Sequence, residues 1–119
     1  MTGSQEARAW IDRYTTAWKS NNVDDIRAVF TDDAVYNGRP NDPDPWRGID
    51  AIIAGWLDHR DEEGDWGFVA EILGEVQGRT VIRGVTTYTT DVDYDNLWLL
   101  VLTDGKASEF TEWFMERAE

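Results

Sequence analysis

Apolar residues along this chain follow two spacings. Up to about residue 59 they recur every three or four positions, as on helices; from residue 66 onward they alternate or run on, as in strands. Ala7, Trp10, Ile11, Tyr14, Ala17 and Trp18 form one stripe on a helix predicted from about residue 5 to 20. Ser4 is placed to cap it, and Glu6 suits the positive end of the helix dipole. Ser20-Asn21-Asn22 ends that stripe. Asn22 then reads as the cap of a short second helix, with Asp25 at the capping-box position and Ile26, Val29 and Phe30 buried. A short strand is predicted around "DDAVYNG", and the three prolines of "RPNDPDPW" mark a loop. A third helix is predicted from about Ile49 to His59, with Ile49, Ile52, Ile53 and Trp56 on one face, and "DEEGD" breaks it.

Four strands are predicted at residues 66–77, 79–90, 96–103 and 106–116. Gly78 and Gly105 mark tight turns, and "TDVDYDN" is a longer acidic connection. Short connections favour antiparallel neighbours. Gly67, Gly74 and Gly84 inside strands suggest the bulges and bends that curve a sheet. The order α-α-β-α-β-β-β-β implies an α+β domain, with helices on one face of a bent antiparallel sheet.

Composition narrows the function classes. At 119 residues the chain is expected to form a single domain over 1–119. A net charge of −13 would repel a nucleic-acid backbone and an anionic membrane surface, so neither is an expected partner. With no cysteine, disulfides and zinc–thiolate sites are excluded. No apolar run approaches the roughly 20 residues that span a bilayer, and "MTGSQEARAW" has none of the regions of a signal peptide, so a cytoplasmic location is expected. The chain has a single histidine, His59, and no metal or other cofactor is expected. Seven tryptophans are many for this length and must line a core, a pocket or an interface.

The helix and strand order, with "FTDDAVY" closing the second helix and "DGKASEFTEW" entering the last strand, resembles the nuclear transport factor 2-like superfamily, and within it the SnoaL-like branch. The resemblance spans nearly the whole chain. It implies a cone-shaped α+β barrel: a curved sheet around a cavity closed by three helices, with dimers formed through the outer face. Members include ketosteroid isomerase, limonene epoxide hydrolase, scytalone dehydratase and polyketide cyclases, so the fold does not fix an activity.

Carrying those sites over by motif leaves each incomplete. The isomerase-like site finds its tyrosine in Tyr14, but its base falls on Gly38 and its protonated aspartate on or near Trp98. The epoxide-hydrolase-like site finds Tyr36, then meets Gly38, Val85 and Thr87 where polar or charged residues belong, and Glu112 in place of an aspartate. The dehydratase-like site needs two histidines. Glu112 is therefore the one carboxylate on a family catalytic position.

In the strand "SEFTEWF", Phe110, Glu112 and Phe114 share one face, which the resemblance places toward the cavity. There Glu112 would be desolvated and suited to acid–base work, unless it forms a structural ion pair. Arg83 is the partner expected for it, because strand parity and the same register put Arg83 and Thr87 inside; Arg83 alternatively anchors an anionic ligand. Tyr14 and Tyr36 offer hydroxyls, or else are core residues. Trp56, Phe68 and Trp98 are expected along the pocket wall, and Trp46 is either a lid or a residue packed on the third helix. Trp113, with Thr86 and Tyr88, is expected on the outer face as a homodimer contact. The reading is a small-molecule binder of the SnoaL-like type, for a largely apolar ring-containing ligand. The alternatives are an acid–base enzyme using Glu112, and a non-catalytic dimeric interaction module.

Overall fold

Three helices and six strands form in the residues described by the computed structural model, which are 3–60, 66–89 and 92–117. Helices α1 (Gly3–Ser20) and α2 (Val23–Arg27) precede strand β1 (Phe30–Asn37), the two-residue strand β2 (Trp46–Arg47) and helix α3 (Ile49–Asp58). Strands β3 (Trp66–Val76), β4 (Arg79–Tyr88), β5 (Tyr94–Thr103) and β6 (Lys106–Glu116) follow. The segment 61–65 and residues 90–91 of the acidic connection lie outside the described residues.

Local chemistry explains the helical half. α1 begins at Gly3, so Ser4 falls within its first turn rather than at its boundary. Asn22 does cap α2, its side-chain oxygen accepting from the Asp24 and Asp25 amides. The reciprocal arm of the capping box is replaced: the Asp25 carboxylate accepts the Ser20 hydroxyl at 2.6 Å. β2 was not expected, since the proline loop masks two extended residues that pair Tyr36 with Trp46 and Val35 with Arg47. No helix among the described residues is long and apolar enough to cross a membrane.

The sheet runs β2-β1-β6-β5-β4-β3, curved and unclosed, with β2 and β3 at its edges. All pairs are antiparallel except β1 with β6, which is parallel. That pairing joins residues more than 70 positions apart, beyond the reach of turn signals. Gly74, at φ +151, sits at the register shift of β3 against β4. The concave face carries Tyr36, Phe110, Glu112, Trp98, Asn96, Ile82 and Thr86, as the cross-strand partners and burial pattern agree.

α1 lies directly on that face and fills the deep part of the cone. Trp10 and Tyr14 pack on Phe110 at 5.7 and 5.4 Å between centroids, and on Trp98 at 6.2 and 4.9 Å. Trp10 is anchored by its Nε1 donating to the Val29 carbonyl at 2.8 Å. Trp56 of α3 meets Tyr14 edge-on and donates to Asn21 Oδ1 at 3.0 Å. Each buried ring removes about 150–250 Å² from water, so this aromatic cluster is the main apolar core.

Two expectations of strand parity are corrected here. Arg83 and Thr87 are exposed on the outer face of β4, where Arg83 pairs with Glu71 of β3, its cross-strand neighbour, and not with Glu112. Thr86 and Tyr88 belong to the concave parity instead, and Thr86 is buried. The apolar residues of β4 are not all inward: Val81 and Val85 face outward, while Thr80, Ile82, Gly84 and Thr86 face in. The inward parity tolerates a glycine because the Phe68 ring occupies its place; a Cβ on Gly84 would come within 2.5 Å of that ring. Phe68 in turn stacks on Trp98 at 4.8 Å.

Candidate functional site

Burial falls along the concave face toward one end of the sheet, and the polar residues collect at that step. On β6, Phe110 is fully buried, Glu112 is half-buried and Phe114 is 57% exposed. On β5 the series is Leu100, Trp98 and Asn96, all buried, then the half-buried Tyr94. Glu112 thus stands where the aromatic packing under α1 ends. Beyond it is a rim of rings, with Tyr94 edge-on to Phe114 at 5.9 Å and to Tyr88 at 5.9 Å.

Glu112 is held from both sides. Asn96 Nδ2 donates to its Oε1 at 3.1 Å, and the Tyr36 hydroxyl donates to its Oε2 at 3.4 Å. The Tyr14 hydroxyl lies 3.3 Å from that of Tyr36. Behind Asn96, the buried Thr86 hydroxyl donates to Asn96 Oδ1 at 2.7 Å. Tyr14, Tyr36 and Glu112, expected separately from sequence, are therefore one connected group. These two contacts of the Tyr36 hydroxyl, at 3.3 and 3.4 Å, are longer than the usual 2.7–2.8 Å for such bonds. Contacts of this kind tighten when a ligand completes the site.

Trp46 roofs Tyr36, stacking on it at 4.8 Å and lying 6.1 Å from the His59 ring. It also packs on α3, where a Cβ on Gly55 would meet the Trp46 ring at 2.2 Å. Packing on the third helix, one of its two expected roles, is thus real; the same contact sets it over the tyrosine. Phe68 and Trp98 form the wall behind Glu112, with Trp98 its direct cross-strand partner. The Trp98 and Trp66 indole nitrogens are buried with no hydrogen-bond partner among the described residues. Such unsatisfied donors are uncommon in folded proteins. Trp66 stacks on Trp18 at 3.8 Å.

Of the sequence-expected residues, Arg83 and Thr87 are outside the group. Asn96, Thr86 and Tyr94 are site neighbours that the sequence reading does not place there, while Phe114 is on the cavity face as expected from its parity with Glu112. Asn96 is the last polar residue of "TDVDYDN" before the apolar run "LWLLVL" and carries a weak signal; Thr86 carries none, because alternation puts it on the wrong face. Asp42 does not supply the base that Gly38 lacks. Its carboxylate accepts from the Asp44 and Gly38 amides at 2.9 and 3.0 Å, and those bonds hold it below the usual carboxylate range. Among the described residues no group of three His, Cys, Asp or Glu side chains could hold a metal ion. A separate groove of about 430 Å³, between α1 and β3, is bordered by Arg8, Asp12, Lys19 and Phe68 and does not include Glu112.

Solved structures share this arrangement of elements. An NTF-2-like protein of unknown function from Burkholderia xenovorans LB400 superposes with a TM-score of 0.74 at 18% identity, covering 97% of this chain and 87% of that one. A protein of Kribbella flavida provisionally named a ketosteroid isomerase gives 0.74 at 19%, covering 100% and 84%. An LEH-like epoxide hydrolase of M. tuberculosis gives 0.64 at 18%, covering 96% and 86%. At such identities these likenesses speak for the fold alone. No curated protein matches the chain. The sequence profile of the SnoaL-like domain matches residues 11–116, and the chain belongs to that SnoaL-like family.

Proposed function

We propose that this protein binds a small, largely apolar, ring-containing molecule on the concave face around Glu112. The observation that carries the reading is the placement of one half-buried carboxylate at the step between a filled aromatic core and an aromatic rim. Pockets that recognise small molecules combine apolar walls with a few convergent polar groups. Tyr36, Asn96 and Glu112 supply the polar groups; Trp46, Tyr94 and Phe114 supply the rings. Tyr14, Trp56, Phe68 and Trp98 support them from the core side.

The direct test is titration with 2-naphthol, a fused-ring hydroxyl compound, followed by tryptophan fluorescence. Saturable quenching is expected, and Phe114→Ala should weaken it about ten-fold, the effect of losing one well-packed ring. Because Phe114 is 57% exposed, the melting temperature should hold. Quenching that is linear in 2-naphthol, or unaffected by Phe114→Ala, contradicts the site.

A second reading, an acid–base enzyme of cyclase, isomerase or hydrolase type on the same group, is favoured by one observation. Glu112 and the Tyr36 hydroxyl are adjacent, which pairs a carboxylate with a group able to polarise a carbonyl or hydroxyl. The activities in the names of the solved relatives support it only as analogy. Homodimerisation through the outer sheet face is part of the proposal. Val81, Leu97, Leu99, Val101 and Trp113 form a half-buried apolar surface there, with Met115 at 68% exposure beside it.

A further inference from the structure

We infer that the groove between α1 and the free edge of β3 binds an extended acidic peptide segment of a partner protein, added to the sheet as a further strand. The inference is independent of the ligand site around Glu112, which the groove does not include. β3 is an outer strand of the sheet, so half of its backbone N–H and C=O groups have no neighbouring strand to pair with. Ala70 belongs to that half, because its carbonyl accepts the Arg8 guanidinium of α1 at 3.2 Å. Backbone groups alternate in direction along a strand, so Trp66, Phe68 and Ile72 present theirs to the same side. The register shift at Gly74 ends the regular edge.

Long sheet edges are normally blunted by lysine, proline or a covering element. β3 has neither lysine nor proline, its Glu71 is engaged by Arg83, and Val69 and Leu73 are exposed. α1 runs beside the edge in the opposite direction, as two contacts fix: Arg8 meets Ala70, and Lys19 Nζ lies 6.0 Å from the centre of the Trp66 ring. The space between helix and edge, about 430 Å³, has Ile11, Phe68 and Ala70 as its apolar lining. Extended peptides add to exposed edges of this kind, with main-chain bonds giving affinity and alternate side chains giving specificity.

Charge selects the peptide. Two of the chain's 11 basic residues border the groove and one of its 24 acidic ones, the reverse of the overall balance. Arg8 and Lys19 stand about 16 Å apart along α1, with Asp12 between them. On the strand side, Trp66 to Ala70 spans about 13 Å. A peptide residue opposite Phe68 shares its face of the sheet, under Ile11. The residues two positions away on either side then fall opposite Trp66 and Ala70, at the Lys19 and Arg8 ends. The pattern that fits has an acid at each end and a neutral residue at the centre, where Asp12 opposes a third carboxylate. As the strand forms, a peptide N–H takes the Ala70 carbonyl and Arg8 turns to the carboxylate. A second copy of β3, antiparallel about Phe68, would set Trp66 and Ala70 where the carboxylates are needed.

The test uses the full chain with isotope-labelled backbone amides, titrated with the blocked peptide acetyl-Asp-Thr-Val-Thr-Asp-amide. The Phe68 and Ala70 amide signals should shift saturably. The same peptide with Lys in place of both Asp should bind at least about ten-fold more weakly, the effect of losing two charge-assisted contacts. Methylating the nitrogen of the central valine removes the proton given to the Phe68 carbonyl and should cost about five-fold, the worth of one hydrogen bond. Ala70→Pro deletes an edge N–H that the ladder does not use, so the fold should hold while peptide binding weakens by a similar factor. If Ala70→Pro does not fold, the methylated peptide on wild-type protein decides alone. Absence of saturable shifts at Phe68 and Ala70, or equal binding of the methylated peptide, overturns the inference. Shifts at those amides that follow protein concentration and not peptide would assign the edge to a second copy and overturn it as well.

Discussion

Glu112 differs from the other carboxylates of this acidic chain by its surroundings rather than by its type. Asp42 serves its own loop, and Glu71 serves Arg83 on the outer face. Glu112 faces the aromatic side of the sheet and is oriented by amide and phenol donors. If the enzyme reading holds, Glu112→Gln should reduce kcat about 10²–10⁴-fold, the usual contribution of a general acid or base, with ligand affinity within about ten-fold of wild type. Steady-state kinetics on a substrate found by screening ring ketones, epoxides and hydroxyl compounds would check this, and an unchanged kcat would leave binding as the function. Alternation in "SEFTEWF" leaves a carboxylate among rings on both faces, and Glu112 stands out from the sequence only through the family resemblance, which puts its face toward the cavity. Its partners were not legible. The expected pairing with Arg83 failed since that residue points the other way and finds Glu71 as its direct cross-strand neighbour.

At the scale of elements, most boundaries follow from chemistry visible in the chain. The Asn22 cap, the Asp104-Gly105 turn and the proline loop each act over a few residues. Strands β3 to β6 lie where alternation and turn signals place them, within two residues at each end. What escaped depends on distant contacts. β2 exists because Tyr36 and Trp46 pair, and the parallel β1–β6 pairing joins the first strand to the last. The face of β4 escaped for a related reason. Its inward residues look less apolar than its outward ones until Phe68 is seen over Gly84 and Asn96 beside Thr86. Polarity alone is a poor guide to the face when the concave side holds a polar network and the convex side is itself apolar.

For the whole molecule, the two sheet faces divide the work. The concave face is filled with rings at depth and turns polar at its rim. The convex face displays Val81, Leu97, Leu99 and Trp113 in adjoining cross-strand pairs. A partner subunit is the proposed cover for that surface, which is apolar in a chain of net charge −13. Trp113→Glu would bury two charges per interface against apolar neighbours, a cost of several kcal/mol for each unpaired ion. Sedimentation velocity should then show a dimer for the wild type and a monomer for the variant; a wild-type monomer, or an intact dimer in the variant, would contradict this interface. Tyr88 is not part of that surface, since it stands on the concave parity beside Tyr94.

The central claim is that Glu112 receives a donor from a ring-bearing ligand on the concave face. The measurement that tests it most directly compares 2-naphthol with 2-methoxynaphthalene, which has the same rings and no hydroxyl proton. Leaving a buried acceptor without its donor costs about 1–3 kcal/mol, so wild-type protein should prefer 2-naphthol by about ten-fold in Kd. Glu112→Gln replaces one of the two acceptor oxygens by an amide nitrogen that donates, and the preference should fall about five-fold, the worth of one ordinary hydrogen bond of about 1 kcal/mol. Equal preference in wild type and variant, or no preference in either, would contradict the account.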